Sequence, residues 1–364
     1  MQASYVVPHA DAPMLADIYR QRSVLEALLA RRSEVVAFGR EHLRPDEGGH
    51  LYAFGSGDGW FAARAVLGSS DGATAISGLD FLLRIAPKLR PADRVLAITM
   101  SGNVDRTLEA ARAGLDRSTP VSLLTNKDGG RVGALGVPAF RLQLDDLAPF
   151  LCGTSSYTAT LAALGMARDI DGLFHQAIED ILPGLDGLIG QADQVAAEIA
   201  SAVGPQCSGI RLLSTGAGLA TADYAAAKFV EVTTLPSWSD DIEEFAHRQY
   251  WTLKRSELVV FLAEDHRSAE FANASAEALA EFGTPTLIVA PEHANAKAAR
   301  FRLAIPGDAR TTCITQAIVG QLLAYRLALA TGTDPNRRDH LKVDTVRFAV
   351  SRKLTRRSLL GTGQ

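Results

Sequence analysis

Cysteine is scarce in this chain, and what little there is excludes several protein classes. Only Cys152, Cys207 and Cys313 occur, with no CxxC and no metal-ligand spacing, in apolar or small-residue surroundings. Neither a disulfide framework nor a zinc site is built that way, so the three read as structural thiols of a reducing cytosol. An excess of one charge is also lacking: 37 Lys and Arg stand against 41 Asp and Glu, with no basic block. Nucleic acid and anionic membranes are therefore poor partners, and any anionic ligand has to be held locally by loops and helix ends. No apolar run approaches membrane-spanning length, and MQASYVVPHADAPM lacks the basic start and apolar core of a signal peptide. No HxxxH, HExxH or clustered acidic set suggests a metal. The glycine turn GSGDG at 55–59 lacks the G-x-G-x-x-G spacing of a dinucleotide site. The expectation is a soluble, cytoplasmic protein without metal or cofactor.

What the chain does have is apolar material and repetition. With 47% apolar residues over 364 positions, it suits two domains of ordinary size. Strand-like HLYAF runs into Gly55-Ser56-Gly57-Asp58-Gly59 and a helix of small residues. Strand-like IRLLS runs into Thr215-Gly216-Ala217-Gly218 and a second such helix. RVLAITM and its following helix match ELVVFLA and its helix, VSLLT matches TLIVA, and PAFRLQL matches ARFRLAI. Short β-branched runs alternating with helical periods predict α/β architecture, with two doubly wound parallel-sheet domains in tandem. The expected boundaries are a helical segment over 1–34, domains over 35–180 and 181–332, and a basic tail over 333–364. A linking helix begins near 181 and is expected to break at Pro183-Gly184.

The stretch from Lys228 to His247 carries the chemistry. A lysine and glutamate three apart on a helix, Lys228 and Glu231, are followed by an acidic run that ends in His247. A glutamate and a histidine so placed suit proton transfer beside a carbonyl, although a buried helix with a solvated acidic end explains the same residues. Thr99-Met100-Ser101-Gly102-Asn103 lies between a strand and a helix start. Thr99, Ser101, Gly102 and Asn103 offer hydroxyls, an amide and free backbone N–H groups to an anion, or simply cap the helix. Ser56 and Gly57 let backbone approach a ligand, and Asp58 sets a carboxylate beside them. Thr154 and Ser155 offer further hydroxyls before a helix, where capping is the plain alternative.

Taken together, motifs in order along the chain resemble the tandem SIS (sugar isomerase) family, above all the isomerase half of glucosamine-6-phosphate synthase and its deaminase and deglycase relatives. MLADIYRQRS is similar to the family's linker helix, and AFGSGDGW to its G-x-G-x-S turn. ITMSGNVDRTLEA is similar to S-x-S-G-x-T-x-D-T-L, and CGTSSYTA to the loop closing over the sugar phosphate. AAAKFVEV and EEFAH resemble K-x-x-E and E-x-x-H, and DPNRRDHLKV the C-terminal segment. The resemblance implies a phosphosugar isomerase acting on a ketose or amino-sugar 6-phosphate, with or without loss or gain of ammonia. In that scheme Ser56, Gly57, Asp58, Thr99, Ser101, Gly102, Asn103, Thr154 and Ser155 bind substrate. Glu231 shuttles a proton, His247 opens the ring, and Lys342 reaches the sugar. It also implies a homodimer in which His247 completes the neighbouring subunit's site. A deglycase splitting a 6-phosphorylated sugar–amine adduct, and a non-catalytic sugar-phosphate regulator, are the alternatives. The chain departs from the family at Asp58-Gly59, at Val104 where threonine is usual, and at Arg248-Gln249 after the histidine.

Overall fold

A computed structural model of the chain describes residues 12–68, 72–148, 151–169 and 171–355. Most of the MQASYVVPHADAPM segment lies outside the described residues. The chain forms two compact units. One comprises 26–145, 159–175 and the segment from Leu341, and the other the segment up to Leu25, 146–158 and 176–340. Among the described residues, 12–25, expected as a separate helical segment, and 151–158, expected in the first domain, thus fall in the unit of the later sheet.

The first unit is built on β1 (Leu51–Gly55), β2 (Ala73–Ser77), β3 (Arg94–Ile98), β4 (Val121–Thr125) and β5 (Ala139–Arg141). All pair in parallel, in the order β2-β1-β3-β4-β5. Every residue of β4 is buried, which is why VSLLT is continuously apolar or small rather than alternating. Phe54, Phe81, Val95, Ala97 and Leu123 form the core on one face. The second unit holds β6 (Gly209–Ser214), β7 (Ser237–Asp241), β8 (Glu257–Leu262), β9 (Thr286–Pro291) and β10 (Phe301–Ile305). Their order, β10-β9-β8-β6-β7, repeats the first sheet's topology. Leu213, Val259, Phe261 and Ile288 centre its core. In each sheet the winding reverses beside the first strand, between β1 and β3 and between β6 and β8. Ligands of doubly wound folds bind at the strand C-termini of such a switch point.

Two expectations are corrected. The helix Leu173–Val203 continues through Pro183 instead of breaking there. Pro183 and Gly184 face solvent, so water can take the carbonyl that proline leaves without a donor, while Ile181, Leu185 and Leu188 hold the opposite face. The helix Thr312–Ala330 is long and apolar enough to cross a membrane by length and composition. Most of it is buried inside its own unit, as suits the core helix of a sheet domain.

Candidate functional site

At the first switch point the turn after β1 meets the loop after β3, with Gly55 paired in register to Ile98. A Cβ on Gly59 would lie 2.8 Å from the Ile98 carbonyl oxygen, so glycine at 59 is required by close helix–strand approach. Gly57 has φ 56°, and Ser56 and Gly57 are exposed beside Asp58, the first residue of the helix Asp58–Leu67.

The loop after β3 is braced from below. Buried Thr99 accepts from the Gly102 amide at 3.2 Å, and Ser101 Oγ accepts from the Asn103 amide at 3.3 Å. Gly102 has φ 65°, and a Cβ there would stand 1.5 Å from the Gly129 carbonyl oxygen. The helix Asp105–Asp116 begins after Val104 with no side-chain cap, so its first amides point outward unclaimed by a capping group. Arg131, which sequence reasoning passed over, donates to the Asn103 carbonyl at 2.6 Å and pairs with Asp105. Hydroxyls, amides, a helix N-terminus and a guanidinium gather here around exposed Ser101 and Asn103. Such a set suits an anion.

In the second unit Glu231 sits in the last turn of the helix Gly218–Thr233, a third exposed and held by two cations. Lys228, itself fully buried, reaches Oε1 at 3.1 Å, and Arg338 reaches Oε2 at 3.2 Å. His340 Nε2 donates to the Glu231 carbonyl at 3.1 Å, since a carbonyl can only accept. Burial pushes the His340 imidazole below its ordinary pKa, against the raising effect of that bond, so the ring is neutral at pH 7. Its Nδ1 is then a buried acceptor with no hydrogen-bond partner. Arg338 and His340 lie in the DPNRRDHLKV segment, yet nothing local marks them out from Lys342. Lys342 is exposed on the short helix His340–Val343.

His247 ends the helix Ile242–His247 and is largely exposed, with Glu243 3.4 Å away and not Glu231 as its partner. The acidic run before it divides by role. Asp240 is buried and paired with Arg248, whereas Asp241 caps the helix by accepting from the Glu243 and Glu244 amides. Thr154 and Ser155 are both buried, and their hydroxyls meet a carboxylate of the chain itself. Asp17 accepts from Thr154 Oγ1, from the Ser155 amide at 2.9 Å and from Ser155 Oγ at 2.9 Å. Asp17 therefore fills the helix N-terminus that the sequence offered to a phosphate.

The two five-stranded parallel sheets are wound alike, with hydroxyls, amides and a helix N-terminus gathered at the first switch point. Residues 206–331 match the SIS domain family. The second sheet thus belongs to an SIS domain, and the first sheet repeats its topology. It is similar over its length to the C-terminal domain of glucosamine-fructose-6-phosphate aminotransferase from Francisella tularensis. That likeness has 15% identity and TM-score 0.72, and covers 91% of this chain and 100% of that one. Tagatose-6-phosphate ketose/aldose isomerase from Escherichia coli matches at 17% identity and TM-score 0.74, covering 92% of this chain and 98% of that one. Phosphoheptose isomerase of Aromatoleum aromaticum (strain DSM 19018 / LMG 30748 / EbN1) is 39% identical over 71 residues, which is 20% of this chain and 32% of that protein. The chain therefore spans about a third of the curated relative that it matches.

Proposed function

We propose that the protein is a phosphosugar isomerase that interconverts aldose and ketose forms of a sugar 6-phosphate. The observation carrying this reading is the loop Thr99–Asn103, wedged at Gly102 and ending at an uncapped helix N-terminus. Ser101, Asn103 and the first helix amides bind the phosphate, with Arg131 adding positive charge nearby. Glu231 moves the proton between C1 and C2, its two oxygens oriented by Lys228 and Arg338. Asp58, beside the Ser56-Gly57 turn, favours a substrate bearing an amine, so an amino-sugar phosphate is the preferred class, with ammonia lost or gained in the reaction. His247 serves in ring opening, and its exposure fits a role in the site of a second copy in a homodimer.

A set of hexose-6-phosphates and their 2-amino forms, incubated with the enzyme in deuterated water and followed by NMR, tests the assignment. Deuterium is expected at C1 or C2 of at least one substrate. Tight binding of a sugar phosphate without any exchange would replace the isomerase by a sugar-phosphate regulator. Ser101→Ala is expected to weaken sugar-phosphate binding about tenfold or more, because a hydrogen bond to a charged group contributes roughly 1.5–3 kcal/mol. Titration calorimetry measures this directly, and unchanged affinity would remove the loop from the phosphate site.

A further inference from the structure

The second switch point, between β6 and β8, holds a cluster of buried and half-buried polar groups that the isomerase reading does not use. Glu264 follows β8 and lays its carboxyl over the turn after β6. A Cβ on Gly216 would come 3.4 Å from its Oε2, and one on Gly218 would come 2.9 Å from its Cγ. The Gly218 amide donates to that carboxyl. Gln316, fully buried on the helix Thr312–Ala330, donates Nε2 to the Ala263 carbonyl at 2.8 Å. That bond fixes which end of the amide is which, and it leaves Oε1 buried with no hydrogen-bond partner. Thr221, fully buried on the helix Gly218–Thr233, likewise has a hydroxyl with no hydrogen-bond partner.

These groups converge. Gly218 meets Glu264 at the start of one helix, and Cys313, under the influence of Glu264, marks the start of the other. Four residues further along each helix than Thr221 and Gln316, a Cβ on Gly320 would lie 2.9 Å from the Ala225 Cβ. Thr221 and Gln316 therefore lie one turn back on the facing sides, toward Glu264.

We propose that this cluster binds a small protonated amine, ammonium or a primary alkylammonium, held by the Glu264 carboxylate, Gln316 Oε1 and Thr221 Oγ1. Two buried oxygens without a partner, beside a carboxylate that takes one amide N–H, match an ion that carries three or four N–H bonds and one positive charge. A water molecule can bond the same groups but brings no charge, and so leaves the carboxylate uncompensated. The first sheet presents hydroxyls and amides after its third-formed strand, and the second presents a carboxylate, so the two switch points are of opposite polarity. Burial, with the neighbouring Asp265 charge adding to it, pushes Glu264 up to about 7. The other titratable group on it is Cys313, whose thiol is itself pushed up to about 12 by burial and stays protonated. Protonation of Glu264 competes with the amine, so affinity falls by roughly tenfold per pH unit below that value. The inference rests on the second unit alone, and its failure leaves the role of Glu231 untouched.

Thermal unfolding of the full chain tests it, in ammonium chloride or methylammonium chloride against sodium, potassium and tetramethylammonium chlorides at equal ionic strength. At pH 8 ammonium and methylammonium are expected to raise the midpoint saturably, by a few degrees (~2–5 °C) over sodium. At pH 5.5 most of that rise is lost. Glu264→Gln keeps the shape and should fold. Because the raised carboxyl lowers stability as pH climbs from about 4.5 through about 7, the variant's midpoint in sodium exceeds the parent's at pH 8 and equals it at pH 5. It should also lose the ammonium response, and Thr221→Val should shift that response to about tenfold higher concentration. Equal midpoints in ammonium and sodium overturn the proposal, as does a response retained by Glu264→Gln. An equal response to potassium overturns the amine assignment in favour of a general monovalent-cation site.

Discussion

Glu231→Gln is expected to lower turnover by roughly 10²–10⁴ while sugar-phosphate binding changes little, because an amide of the same shape cannot accept a proton. The structure adds a second effect. Lys228 is fully buried and bonded to Glu231 Oε1, so the substitution takes a carboxylate away from a buried ammonium. That loss costs about 1–3 kcal/mol, or several degrees of thermal midpoint in a chain of this size. The two effects separate on one preparation by combining Glu231→Gln with Lys228→Met. The second change removes the buried charge and is expected to recover much of the midpoint, yet turnover stays low. Turnover returning along with stability would make Glu231 a structural partner of Lys228 and nothing more.

Gly102→Ala is expected to be the most damaging single methyl group in the first unit. The backbone there has φ 65°, and the new Cβ would fall 1.5 Å from the Gly129 carbonyl oxygen and 2.8 Å from the Gly130 nitrogen. Neither neighbour is a side-chain end that can swing away. Strain plus displacement of the 129–131 turn costs about 3–5 kcal/mol. Because that turn carries Arg131 and braces Asn103, affinity for a sugar phosphate should fall more than 100-fold, well beyond the roughly tenfold expected for Ser101→Ala. Gly57→Ala supplies the comparison. Its φ is 56°, but a Cβ there meets nothing within 4 Å, so only the backbone strain of ~1 kcal/mol applies. Calorimetric binding and thermal midpoints on the three variants rank them, and a benign Gly102→Ala would contradict the wedge.

The parallel sheets were legible because burial on both faces removes alternation, so that VSLLT and ELVVFL read as continuous buried runs. The glycine turns were legible for a different reason. Gly57, Gly102 and Gly216 need positive φ, which almost no other residue accepts. The helix through Pro183 was not legible, since whether proline ends a helix depends on which side faces water. Nor was the occupation of Thr154 and Ser155, because Asp17 lies 137 and 138 residues away and no local pattern couples them. The grip of Arg338 and His340 on Glu231 spans 107 and 109 residues and escaped for the same cause. That Glu264 lies half-buried over a glycine turn is a fact of packing alone.

The contacts of the first helices set a clock for the ribosome. Gln21 bonds Gln321 across 300 residues, and the Met14 amide bonds Asn336 across 322. At a synthesis rate of about 5–20 residues per second, Met14, Ile18 and Gln21 wait roughly 15–60 s for partners that do not yet exist. During that interval an apolar helix that ends fully buried has to remain uncovered or be shielded by a chaperone. The sheet from β1 to β5, complete by Arg141, needs none of those late partners. A nascent chain arrested near residue 300 should therefore protect the first sheet from protease while the segment around Met14 remains cleavable.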